Sequence, residues 1–218
     1  MKHQKIVRRV VLYIFGLLVL AFGVAFSVNA DLGVSSVNSL PFVVSLICKI
    51  DMGVCVVLIF SAYVLIQILL LRGDFKLIDL SQIFFLMIFG YFLDFSSSVL
   101  GDFCIPSYMG RLAMLGVSIA LIACGLALYM EARFINMPLE ALIAAISRKK
   151  PAFSFHKIKV VMDCALVFTS AALSYGFLGG LHGVREGTII SALCVGRLLP
   201  VVKKALAPAL SRFRPEES

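Results

Sequence analysis

Six apolar runs of spanning length, at about residues 9–29, 53–72, 80–100, 111–132, 158–178 and 187–203, restrict this chain more than any other feature. A bilayer core needs roughly 20 consecutive apolar residues in helical form, and only helices or closed barrels cross it with every backbone group satisfied. With 61% hydrophobic residues, 15% charged residues and a mean hydropathy of +1.03, the 218 residues cannot also make a water-facing surface. An all-α polytopic membrane protein is therefore expected. Two shorter apolar stretches, about 36–48 and 138–147, would rise only ~15–20 Å as helices, against a core of ~30 Å. They are expected as half-helices or re-entrant segments, giving six full spans and two broken ones. Eight full spans is the alternative.

The first short stretch follows a polar interruption, Asn29 to Pro41, which has an echo 102 residues later. Laid ungapped, Gly23–Ser45 falls on Gly125–Ser147, with Gly23/Gly125, Ala25/Ala127, Ala30/Ala132, Leu40/Leu142 and Ser45/Ser147 identical and Asn38 opposite Glu140. Five identities in 23 pairs is little more than composition alone gives two membrane segments. The arrangement carries more weight: in both copies a long apolar helix runs into polar residues and a short helix then starts. It starts at Ser35 or Ser36 in the first copy and at Pro138 in the second, residue types suited to a helix beginning. The chain reads as an internal duplication, residues 1–101 and 110–204, with a cytoplasmic tail at 205–218.

Equivalent loops carry unlike charge. The N-terminus holds Lys2, Lys5, Arg8 and Arg9, whereas the segment before the fourth long run holds Arg111 and Asp102. Lys49 and Asp51 follow the first short helix, but Arg148, Lys149, Lys150, Lys157 and Lys159 follow the second. Loops on opposite faces explain both contrasts under the positive-inside rule, which favours an inverted repeat with both termini in the cytoplasm. The same rule accounts for the net charge of +8 without nucleic acid as a partner. The basic start and first apolar run imitate a secretory signal, but the run exceeds the 7–15 residues of such a segment and the repeat needs it as a helix.

Broken helices at matching positions of a duplicated chain point to a ligand site near the membrane midplane, and helix N-termini suit anionic groups. Asp31, Ser35, Ser36, Asn38, Asn136, Glu140 and Arg197 are the candidate substrate-binding residues. Ionisable groups inside spans need partners; Asp94, Glu131, Arg133 and Asp163 are the candidate charge partners. Asp31 is expected to pair with Arg133, and Arg197 to point between the short helices, neutralised by Asp94, Glu131 or Glu140. Asp163 has a simpler partner in Lys159, one helical turn away. The six cysteines form no C-x-x-C pair or metal-ligand spacing and read as unpaired thiols. No G-x-S-x-G, H-E-x-x-H or P-loop is present, so neither an enzyme, a metal nor a cofactor is expected. The pattern predicts a permease for a small anionic or zwitterionic metabolite, with a non-transporting assembly or regulatory partner as the alternative. The bilayer, a small solute and a second copy of the chain are the expected partners.

Ala30-Asp-Leu-Gly-Val-Ser-Ser-Val-Asn-Ser-Leu40 resembles the A-D-L-G-V-S-P-W-D-V-L signature of YczE/YyaS/YitT-type bacterial membrane proteins. Met137-Pro-Leu-Glu-Ala-Leu142 resembles their second-half G-P-x-E-x-L element, and Gly183 to Gly196 their G-x-G-x-G-T-x-x-x-A-x-x-x-G final helix. The chain departs from the first signature at Ser36, Val37 and Asn38, where Pro-Trp-Asp is usual. The resemblance implies a multi-pass protein of the bacterial cytoplasmic membrane and no particular chemistry.

Overall fold

The computed structural model describes residues 2–75, 77–132, 134–150, 152–153 and 155–210. These form α1 (Lys2–Ala30), α2 (Ser36–Cys48), α3 (Met52–Leu71), α4 (Ser81–Leu100), α5 (Tyr108–Glu131), α6 (Pro138–Lys149), α7 (Phe155–Leu178) and α8 (Glu186–Leu210). Two 3-10 turns, Arg72–Asp74 and Leu77–Leu80, join α3 to α4, and no strand occurs among the described residues. α1 stops where Asp31 (φ 49°) and Gly33 (φ 103°) turn left-handed, a conformation that ends a helix.

Ile6–Ala30, Met52–Asp74, Ile78–Leu100, Tyr108–Glu131 and Lys157–Leu178 are long and apolar enough to cross a membrane. α8 departs from the expected sixth span. It has the length, 25 residues, but Glu186, Arg197, Lys203 and Lys204 dilute its apolar character. It also continues to Leu210, into the expected tail, whose residues 211–218 lie outside the described residues. With 13 and 12 residues, α2 and α6 are short of the span length, as expected for half-helices.

The centre of the bundle is an antiparallel pair, α1 against α5, in contact from Arg9 at Ala132 to Asp31 at Arg111. Glycines set how close they come. A β-carbon on Gly125 would lie 2.6 Å from the Leu20 nitrogen, one on Gly16 2.6 Å from the Tyr129 nitrogen, and one on Gly23 2.8 Å from the Ile122 nitrogen. Ser118 Oγ adds a hydrogen bond to the Gly23 carbonyl at 2.7 Å. Small residues are what let helices approach in lipid, where no hydrophobic drive brings them together. Tyr13, Phe85 and Tyr129 pack edge to face beside this seam within a core that includes Leu17, Leu86 and Ile143.

The other helices are arranged around the pair. α4 lies on α1 and α8 on α5; α7 lies on α2 and α6 on α3; α2 also touches α3, and α6 touches α7. α3 and α4 meet closely at Gly53 and Gly90, whereas α7 and α8 make no comparable contact. Gly125→Val should destabilise the protein by about 1–3 kcal/mol, the cost of overpacking. Gly116→Val, at a position with open space around it, should be near neutral. Thermal unfolding of both variants in the same detergent measures the difference.

Candidate functional site

The two helix breaks are locally alike. Ser35 caps α2 with φ −60°, ψ 152°, and Met137 caps α6 with φ −62°, ψ 149°. At the third helical residue, Asn38 donates from Nδ2 to Ser35 Oγ at 3.1 Å, leaving its buried Oδ1 without a partner. Glu140 holds the matching place in α6. Its carboxylate accepts the Tyr129 hydroxyl at 2.7 Å and the Met137 N–H, which is the acidic half of a capping box. The positive end of α6 is thereby answered by the chain's own acid.

Their surroundings differ. At the first break the backbone of 32–34 is joined to the α7–α8 connection: Val34 N–H donates to the Gly183 carbonyl at 2.9 Å, and Gly187 N–H to the Leu32 carbonyl at 2.7 Å. Gly33 closes on Arg185 and Thr188, and Gly183 on the Phe42 ring. Asp31 pairs with Arg111 at 2.9 Å and Arg185 at 3.5 Å, while Arg185 also donates to the Asp31 carbonyl at 2.8 Å. Deeper in, the hydroxyls of Ser39 and Ser170 share a hydrogen bond at 3.0 Å.

At the second break a cavity of about 720 Å³ opens between α3, α4 and α6. Its polar lining is Gln67, Asp79, Ser81, Gln82, Asn136 and Arg148; Leu71, Met130, Phe134 and Ile135 are among its apolar walls. Gln67 Nε2 donates to the Pro138 carbonyl at 2.9 Å, holding the start of α6 against α3. Lys149 reaches Asp74 at 3.3 Å, so α6 runs alongside α3 in the same direction. Gln82 is 4% exposed, and its Oε1 is buried without a partner.

Of the sequence candidates among the described residues, Asn136 alone lines this cavity. Ser35, Ser36 and Asn38 sit at the sealed break, and Glu140 faces Tyr129. Asp31 does not behave as expected: its partners are Arg111 and Arg185, because antiparallel packing sets the end of α1 beside the start of α5. Arg133 lies outside the described residues. Arg197 is exposed on α8 and has no ion pair or hydrogen bond among the described residues, so Asp94, Glu131 and Glu140 do not neutralise it as expected. Asp94 has another use, accepting the Gly53 N–H at 2.7 Å and so binding the first turn of α3 to α4. Glu131 ends α5 half-buried, and Asp163 pairs with Lys159 at 3.3 Å.

Sequence reasoning passed over Gln67, Gln82, Arg111 and Arg185. The glutamines carried a signal as polar residues inside apolar runs. Arg111 carried another, standing 102 residues after Arg9, which itself donates to the Ala132 carbonyl at 2.9 Å. No cluster of three or more His, Cys, Asp or Glu suited to a metal occurs among the described residues.

Residues 7–204 match a family of unknown function, DUF6198, and the chain belongs to that family. No curated protein and no solved structure matches it significantly. Tyr129→Phe should cost about 1–3 kcal/mol of stability, the penalty for stranding a buried acceptor. Adding Glu140→Leu should cost less than the two single changes summed, since both polar partners are then gone. Unfolding midpoints of the two single variants and the double variant check the coupling.

Proposed function

We propose that this member of the DUF6198 family is a transporter of a small polar metabolite, and not an enzyme, working by alternating access between two inverted halves. Residues 1–101 and 110–204 are the halves, and several pairs of contacts support that reading. Gly23 against Ile122 is matched by Gly125 against Leu20, and Gly16 against Gly125 by Ser118 against Gly23. Each contact becomes the other when its two residues are exchanged at a spacing of 102. Arg9 at Ala132 and Arg111 at Asp31 come within one residue of the same rule, Ala132 being equivalent to Ala30, one at each end of the seam. Equivalent helices running antiparallel is what an inverted repeat requires.

The observation that carries the transport reading is the difference between the breaks. One is closed by backbone hydrogen bonds and glycine contacts, and the other opens into a cavity. Halves of like construction in unlike states are what alternating access needs, with the solute path exposed to one side at a time. The cavity lies on the face that carries Arg9, the 72–80 turns and the basic run 148–150, which the positive-inside rule assigns to the cytoplasm of a bacterial membrane. With α8 taken as a sixth pass, its end at Leu210 belongs to that side too. The kinship with YczE/YitT-type proteins belongs to the same proposal.

Labelling with a membrane-impermeant maleimide tests it, in a background whose exposed native cysteines are replaced. Asn136→Cys and Phe75→Cys should react from the cytoplasmic side, and Ser39→Cys from neither side at rest. Reaction of Asn136→Cys from the exterior alone would overturn the orientation. A metabolite panel in proteoliposomes tests flux; no uptake of any compound, together with a stably co-purifying protein, would favour an assembly partner instead.

A further inference from the structure

We infer that the cavity beside α6 is a binding site for a small organic carboxylate with an apolar body. The inference deepens the transport reading and rests on it only for the direction of release. Three polar side chains on the lining, Gln82, Asn136 and Arg148, have no hydrogen bond or ion pair among the described residues. The other polar groups are engaged. Gln67 holds the Pro138 carbonyl, the Ser81 hydroxyl donates to the Ile78 carbonyl, and Asp79 has an interaction of its own. Lys149, next to Arg148, is taken by Asp74.

What is left over defines the ligand. Gln82 has no hydrogen bond at either end of its amide among the described residues: its Nε2 can donate to a carboxylate, while the buried Oε1, whose stranding costs about 1–3 kcal/mol, takes an N–H or O–H from the ligand's body or from a water. Arg148, which has no ion pair among the described residues, contributes a positive charge and a planar fork of donors that matches a carboxylate. Asn136 supplies a further amide donor. The apolar walls would leave a sugar or an inorganic anion poorly matched, but they suit a hydrocarbon or aromatic body. At about 720 Å³ the space is within the range of small-molecule sites.

Benzoate is a suitable probe, with benzamide as the neutral control of the same shape. The full-length protein in nanodiscs would carry Ala144→Cys on the cavity wall, and the rate of maleimide labelling would be followed as each compound is added. Benzoate should slow labelling at concentrations at least tenfold below those benzamide needs. Arg148→Gln, at an exposed position where folding is not at stake, should abolish that difference. Gln82→Leu should weaken protection by both compounds about tenfold while the thermal midpoint holds or rises. Equal protection by the two compounds, no protection by benzoate, or an Arg148→Gln variant that still discriminates would each overturn the assignment. Benzoate protection without flux in proteoliposomes would sink the transport reading and leave the site standing; flux of other solutes without benzoate protection would do the reverse.

Discussion

The close approach of α1 and α5 is the contact on which the rest of the bundle depends. Two long helices in lipid gain little from apolar burial, because the surrounding chains are as apolar as the helices themselves. Their association needs dense backbone packing, which Gly16, Gly23 and Gly125 permit by leaving out side chains where the helices cross. Once the pair is fixed antiparallel, α4 and α8 have matching places on it. The same geometry brings the end of each central helix beside the start of the other, which is why an arginine sits at both junctions, Arg9 and Arg111.

Much of this was legible in the chain. Apolar runs located the long helices because lipid demands them, and the interruption at 29–35 and its echo put the starts of the short ones at Ser35 or Ser36 and at Pro138, where α2 and α6 begin at Ser36 and Pro138. What stayed hidden was adjacency. An alignment of two halves says which residues are equivalent and nothing about which residues touch, so Asp31 was matched with its equivalent position and not with its neighbour, Arg111. Asp94 was similarly opaque, since its role as a cap for α3 depends on Gly53 arriving from another helix. Arg197 misled for a related reason. An arginine among apolar residues signals expense, but the side of the helix it occupies is settled by the packing of α8 on α5 alone.

The unlike states of the two breaks have a source in side-chain size. Gly33, Gly183 and Gly187 let the backbone of the first break bond directly to the α7–α8 connection. Ile135, 102 residues after Gly33, forms with Phe134 a wall of the cavity instead of a seal. Backbone meets backbone on one side, and side chains hold the elements apart on the other. The glutamines are a product of that spacing: Gln67 reaches across to the Pro138 carbonyl, and Gln82 has nothing left to reach.

Asp94 binds α3 to α4 through Gly53, and among the described residues α7 has no such clip to α8. α7 is also the most exposed of the five apolar spans. α7 is held instead by α2 and α6, and its outer face meets lipid and not protein. Under the alternating access proposed above, this is the helix that would slide against the bilayer, so membrane thickness and fluidity would act on the moving part directly.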